Sequence, residues 1–284
     1  MQMVRNELRE VEMRQAEMLK DQMFYHGIMP IPERFHPVFQ PRRAPVLDPL
    51  QEARKRLIVA LDFPQIDAAV EFVDRLDGHS LWLKVGLELF TAAGPAVIEP
   101  LLKRGHSVFL DLKFHDIPNT VAGAVRSAAS LGVGMMTVHA SGGPAMLATA
   151  KAVLDGIANP PQLLAVTVLT SMDTQQVKAV GVGRAPAKQV ELLAKMGLGA
   201  GINGFVCSPQ EVATLRALTG PEGVLVIPGI RPAGAGVGDQ KRIATPADAL
   251  KQGASYLVVG RPITQAADPA EAAEAILREM AEAL

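Results

Sequence analysis

Between Leu57 and Arg261 the chain repeats one pattern eight times: a short apolar run rich in β-branched residues, then a longer stretch of helical character. The runs are LIVALD (57–62), WLKVGL (82–87), VFLDLK (108–113), MMTVHA (135–140), LLAVTVL (163–169), FVCS (205–208), VLVIPGI (224–230) and YLVVGR (256–261). Runs so short and so continuously apolar are buried on both faces, as strands are in a parallel sheet covered by helices. Helical patterns such as DAAVEFVDRL, PAVIEPLLKRG, VAGAVRSAASLG and AMLATAKAVLDG lie between them, and SPQEVATLRALTG adds an N-cap signal, Ser208 followed by Pro209. Eight such units over about 230 residues predict an α/β chain closed into a (β/α)8 TIM barrel. A doubly wound open sheet is the alternative, but it usually stops at five or six strands.

The barrel is expected over residues 56–284, preceded by an N-terminal helical extension (1–29) and a Pro-rich arm or linker (30–55). Residues 4–23 favour a helix with an imperfect apolar stripe of Val4, Leu8, Val11 and Leu19. Pro30, Pro32, Pro37, Pro41, Pro45 and Pro49 then predict an extended segment. Glu7, Glu10, Glu12, Glu17 and Asp21 argue against a transit peptide, and an uninterrupted apolar core for a signal peptide is missing. The extension is expected to be a solvated tail or a partner-binding helix, with no chemistry of its own.

Charge narrows the partners. The 28 Lys and Arg against 29 Asp and Glu leave a formal charge of −1, which removes a general electrostatic case for nucleic acid or an anionic membrane. Aromatic residues are only 4%, too few for base-stacking platforms, and no apolar run reaches the length of a membrane span. Cys207 is the single cysteine, which excludes a disulfide scaffold and suits a reducing, cytoplasmic setting.

Active sites of such barrels lie at the carboxyl ends of the strands. There the chain places Asp62, Lys84, Asp111, Lys113, His139, Thr170–Ser171 and Gly260–Arg261. The densest group is Asp111-Leu-Lys113-Phe-His-Asp116; strand alternation points Asp111 and Lys113 to the same side, and with Lys84 and Asp116 they form an expected four-charge network. A salt-bridge ring that only closes the barrel mouth is the competing reading. After the seventh run, Gly229 to Gln240 form a Gly-rich loop that reads as a lid, near the recurrent phosphate site of these barrels. Gly199-Ala-Gly201-Ile-Asn-Gly204 satisfies G-x-G-x-x-G but leads into a strand, so a dinucleotide site is not expected. His115 and His139 lack metal-ligand spacing, Cys207 is expected to be buried, and Trp82 is expected between barrel and helices.

The string LDLKFHDIPNTV, with LIVALDFP, LKVGLELF, TVHASGG, VLTSM, PGIRP, GDQKRIATPADAL and VVGRPIT, closely resembles the orotidine 5′-phosphate decarboxylase family over residues 56–284. The resemblance implies decarboxylation of orotidine 5′-phosphate to UMP in de novo pyrimidine synthesis, with neither cofactor nor metal. It implies that Asp62 binds ribose hydroxyls, that Lys84 bridges ribose and the charged network, that Asp111 faces the substrate carboxylate, and that Lys113 protonates C6. Asp116 and Thr120 would reach the site of a second subunit, implying a homodimer with shared sites. Ser171 would bond the pyrimidine. Gln240, Arg261 and the Gly260 amide would hold the phosphate, with Arg231 also among the substrate-binding residues. Alternatives are a Mg2+-dependent sugar-phosphate decarboxylase or aldolase of the same superfamily and, less favoured, a non-catalytic nucleotide-binding subunit.

Overall fold

In the computed structural model, which describes residues 48–232 and 242–284, eight parallel strands close into a barrel in the order β1 to β8. In chain order the elements are α1 (Pro49–Arg56), β1 (Leu57–Leu61), α2 (Ile66–Arg75), β2 (Trp82–Val85), α3 (Leu87–Ala93), α4 (Ile98–Lys103), β3 (Ser107–Phe114) and α5 (Pro118–Ala129). Then follow β4 (Met135–His139), α6 (Gly143–Asp155), β5 (Gln162–Val166), α7 (Thr174–Ala179), α8 (Pro186–Gly199), β6 (Gly204–Val206) and α9 (Val212–Thr219). The last are β7 (Val224–Ile227), α10 (Pro246–Lys251), β8 (Tyr256–Val259), α11 (Arg261–Thr264) and α12 (Pro269–Ala281). The barrel closes where Leu57, Ile58 and Val59 pair with Leu257, Val258 and Val259. This is the architecture the eightfold repeat predicts.

Strand alternation sorts the apolar residues into two cores. One face of each strand packs on the helices: Leu57, Val59, Leu61, Leu83, Val85, Val108, Leu110, Met136 and Val138 all belong to that outer core. The other face fills the barrel with Ile58, Ala60, Phe109, Met135, Leu164, Val226 and Val258. Trp82 and Tyr256 join this inner cluster, edge to face with ring centroids 5.7 Å apart. Trp82 therefore points into the barrel, not between barrel and helices: it lies two residues before Lys84, and both use the inward face of β2.

The helices begin where local chemistry allows. Asp48, Thr245 and Asp268 accept backbone N–H groups at the starts of α1, α10 and α12. Ser208 does cap, in a reciprocal box with Glu211, but on a short 3-10 turn (Pro209–Glu211) that leads into α9. PAVIEPLLKRG is likewise divided, into a 3-10 turn (Gly94–Val97) and α4.

The arm expected over 30–55 needs correction at its end. Pro49 stands in the first turn of α1, where a missing N–H costs nothing, so it starts a helix instead of preventing one. Ala53 of that helix is fully buried, α1 packs on α12, and Arg54 reaches Glu274 at 3.9 Å. One compact unit runs from Leu47 to Leu284. The helix expected over 4–23 and the rest of the arm fall outside the described residues. Among the described residues no helix is long and apolar enough to cross a membrane. If α1 is part of the barrel's packing, Ala53→Asp lowers stability by about 3 kcal/mol by burying an unpaired carboxylate, and Tm by roughly 6–12 °C. Thermal unfolding checks this; an unchanged Tm would show that α1 is only laid on the surface.

Candidate active site

The inward positions are apolar through most of the barrel and become polar at its carboxyl end: Asp62 after β1, Lys84 on β2, Asp111 on β3 and Thr137 on β4. They meet in one network. Lys84 Nζ lies 3.2 Å from Asp62 Oδ1 and 3.8 Å from Asp111 Oδ2, while Lys113 Nζ lies 2.9 Å from the same Asp111 oxygen. Asp111 is buried and Lys84 nearly so, whereas the side chain of Asp62 is 60% exposed. Burial works to raise the Asp111 carboxyl, but Lys84, Lys113 and the Thr137 hydroxyl outweigh it and hold the group below its ordinary value. Gly86 makes room for this arrangement: a Cβ there would stand 2.9 Å from the Lys84 ammonium.

Simple alternation accounts for Asp111 but not for Lys113. Leu110 pairs with Met136 and Phe114 with Val138, so Asp111, Leu112 and Lys113 stand opposite the single residue Thr137. This bulge places Lys113 at φ 51°, left-handed backbone that a residue with a Cβ rarely adopts. Its ammonium consequently curls back to the carboxylate two residues earlier.

The network lines one side of a cavity of about 640 Å³. Phe109, Val166, Val206 and Val258 form apolar lining, Thr170 and Ser171 border it from the loop after β5, and Arg231, Gly260 and Arg261 border it from the ends of β7 and β8. Arg231 is buried; burial and then the positive charge of Arg261 push its guanidinium down from its ordinary value. Two cations that border one cavity suit an anion between them.

The cavity thus collects Asp62, Lys84, Asp111, Lys113, Ser171, Arg231, Gly260 and Arg261. Asp116 and Thr120 do not line it; both are exposed, and Asp116 Oδ1 accepts the N–H of Ile117 at 2.6 Å. Within the described residues the fourth member of the charge network is therefore Asp62, not Asp116. Gln240 falls outside the described residues. Thr137, Thr264 and Gln265 escaped sequence reasoning. Thr137 carried a weak signal, a hydroxyl inside an apolar run, whereas Thr264 and Gln265 reach the cavity only because α11 folds over the end of β8.

His115 and His139 stack at 5.3 Å, and Ser141 Oγ lies 2.8 Å from His139 Nδ1. Burial, then the charges of His115 and Lys113, push His139 down from its ordinary value. Among the described residues no three His, Cys, Asp or Glu side chains gather as a metal-ligand set. Gly199 ends α8 and Gly204 opens β6, so the glycine string there lacks the strand-to-helix setting of a dinucleotide site. Cys207 is buried, and burial raises its thiol far above the ordinary range. The loop bearing Thr170 and Ser171 is held from below by Arg242, which donates to the carbonyls of Val168 and Leu169 and pairs with buried Glu211.

A family model described as "Orotidine 5'-phosphate decarboxylase / HUMPS family" matches residues 55–276. The chain is 53% identical over 228 residues to orotidine 5′-phosphate decarboxylase of Saccharophagus degradans, covering 80% of this chain and 96% of the relative. It is 51% identical to the Moorella thermoacetica protein of the same name, with 83% and 98% covered. The crystal structure of orotidine 5′-phosphate decarboxylase from Lactobacillus acidophilus superposes with a TM-score of 0.71 at 42% identity, covering 80% of this chain and 99% of that one.

The Glu211–Arg242 pair is buried, so breaking it from one side leaves a lone charge. Arg242→Met is expected to cost about 3–5 kcal/mol, and adding Glu211→Gln, which removes the lone charge but keeps an acceptor for Ser208, to recover part of that. Urea unfolding of the two variants checks this; equal losses in both would show that the pair itself contributes the stability.

Proposed function

Because the chain belongs to the orotidine 5′-phosphate decarboxylase / HUMPS family, we propose that it converts orotidine 5′-phosphate to UMP in de novo pyrimidine synthesis. One observation carries the reading: a single cavity joins the Asp62–Lys84–Asp111–Lys113 network to a pair of arginines, Arg231 and Arg261. A nucleotide monophosphate needs both ends, a dianion site for its phosphate and charge chemistry at its base.

In the proposed reaction the bond between C6 and the carboxylate breaks, carbon dioxide leaves, and the electron pair stays at C6. Lys113 Nζ supplies the proton that fills C6, and the resulting amine is reprotonated from water. The ammonium is held 2.9 Å from Asp111, so its direction is set before substrate arrives, and preorganised charge of this kind lowers the barrier where negative charge develops. Asp111 also faces the departing carboxylate. Lys84 links this centre to Asp62, which is exposed enough to meet ribose hydroxyls. Arg231, Arg261 and the Gly260 amide take the phosphate, with Gln240 as a further contact, and Ser171 takes the pyrimidine. Binding energy from the phosphate end can then serve the chemistry at the base.

The chain's own groups supply this chemistry without a cofactor. A Mg2+-dependent sugar-phosphate enzyme would have to place its ion at Asp62 and Asp111, where Lys84 already bridges the two carboxylates. The proposal includes a cytoplasmic homodimer in which Asp116 and Thr120 complete the partner's site. Their exposure outside their own cavity supports this, as does the 67% exposed Ile117 beside them.

Loss of the orotate absorbance on mixing protein with orotidine 5′-phosphate tests the reading. Turnover is expected to persist in EDTA; turnover that needs added Mg2+ would favour the sugar-phosphate alternative. Lys113→Ala is expected to lose nearly all turnover while still binding 6-substituted UMP analogues. Shared sites make a sharper demand: re-equilibrating equal amounts of inactive Lys113→Ala and Asp116→Ala dimers restores about one quarter of the parent activity, because half the dimers then hold one intact site. No restoration would place Asp116 in its own subunit's site.

A further inference from the structure

Thr137 touches both ends of the catalytic lysine's setting through one hydroxyl. The residue is fully buried. The Lys113 backbone N–H, which can only donate, gives its hydrogen to Thr137 Oγ1 at 2.8 Å. The Asp111 carboxylate, which when ionised can only accept, takes the hydroxyl hydrogen at Oδ1 over 3.0 Å. Asp111 Oδ2 is left to face the Lys113 ammonium at 2.9 Å. The contacts therefore close a ring that runs from the Lys113 backbone through the Thr137 hydroxyl and the Asp111 carboxylate to the tip of the same lysine.

We propose that Thr137 is a positioning residue for the decarboxylation, its hydroxyl locking the β3 bulge and the Asp111 carboxylate so that the Lys113 ammonium is presented in one direction. The inference rests on the functional reading above for its kinetic consequence. The bulge needs such a lock. Three residues of β3 oppose one residue of β4, and Lys113 sits in left-handed backbone, so ordinary ladder bonds do not hold its N–H. Thr137 is the one residue opposite the bulge, and its side chain offers an acceptor to the strained N–H and a donor to the carboxylate. Lys84 from β2 cannot replace it, because an ammonium has no acceptor. Valine in its place would fill nearly the same volume but leave one buried N–H without its acceptor and Asp111 Oδ1 without its donor.

The test compares Thr137→Val, which keeps shape and loses the hydroxyl, with Thr137→Ser, which keeps the hydroxyl and loses the methyl. For Thr137→Val, kcat is expected to fall by about 10–100-fold, while KM and UMP affinity stay within roughly threefold, since the effect is on orientation of the proton donor. Thr137→Ser is expected to stay within about threefold of the parent in kcat. Hydrogen exchange gives a reading independent of turnover: the Lys113 amide should exchange about tenfold faster or more in Thr137→Val and at the parent rate in Thr137→Ser. A Thr137→Val enzyme with parental kcat, or a Thr137→Ser enzyme as impaired as Thr137→Val, would overturn the assignment, the second by showing that packing of the methyl is what matters. If the parent chain fails to turn over orotidine 5′-phosphate, the functional reading falls, and the exchange rate of the Lys113 amide still decides whether Thr137 locks the bulge.

Discussion

A carboxylate buried at the mouth of a closed barrel is the constraint around which the rest of the site is arranged. Asp111 lies among apolar strands, where an unaccompanied charge would cost several kcal/mol, about the loss expected from breaking a buried pair. Lys84 comes to it from the neighbouring strand, Lys113 from its own strand, and the Thr137 hydroxyl from the strand on the other side. Each compensating group imposes a condition on its surroundings. Lys84 needs Gly86 to leave space for its ammonium, and Lys113 needs a bulge in β3 to turn its side chain back.

The barrel makes this arrangement rigid. Its inner face is packed with Phe109, Met135, Leu164, Val226 and other apolar residues below the polar layer, so the charged groups rest on a floor that cannot give way without opening the sheet. The far rim is held differently. Arg242, anchored by Glu211, ties the loop after β5 to the chain's return from β7, so the loop that carries Thr170 and Ser171 rests on a buried ion pair. The two ends of the cavity thus have separate anchors, a charge network at one and a buried ion pair at the other.

Much of this was legible in the sequence because strand and helix periods are local properties. Eight apolar runs predict eight strands, and a charged residue ending such a run has only the barrel mouth to go to. Asp62, Lys84, Asp111 and Lys113 could all be found in that way. The errors share a cause, which is that the outcome depended on what packs against the residue. Pro49 looked like a helix breaker, yet it starts α1 because its place in the first turn and the docking of α1 on α12 favour a helix. Trp82 looked like an outer-layer residue but alternates with Lys84 on the inward face. Asp116 is a different case: it lies past the end of the strand, exposed and outside its own chain's cavity, where a residue serving a second subunit's site would have to stand.

The sequence by itself determined the class of fold, the set of charged side chains at the strand ends and the family to which the chain belongs. The fold class and the strand-end charges follow from spacing and residue type, which survive any rearrangement of neighbours, and the family follows from the motif strings the chain shares with it. Only the tertiary structure decided that Thr137 stands opposite the bulge, that Asp62 and not Asp116 completes the network within the chain, and that Arg231 and Arg261 border one cavity. Register between strands and the meeting of loop ends are set by contacts between residues far apart in the chain, and no local pattern records them.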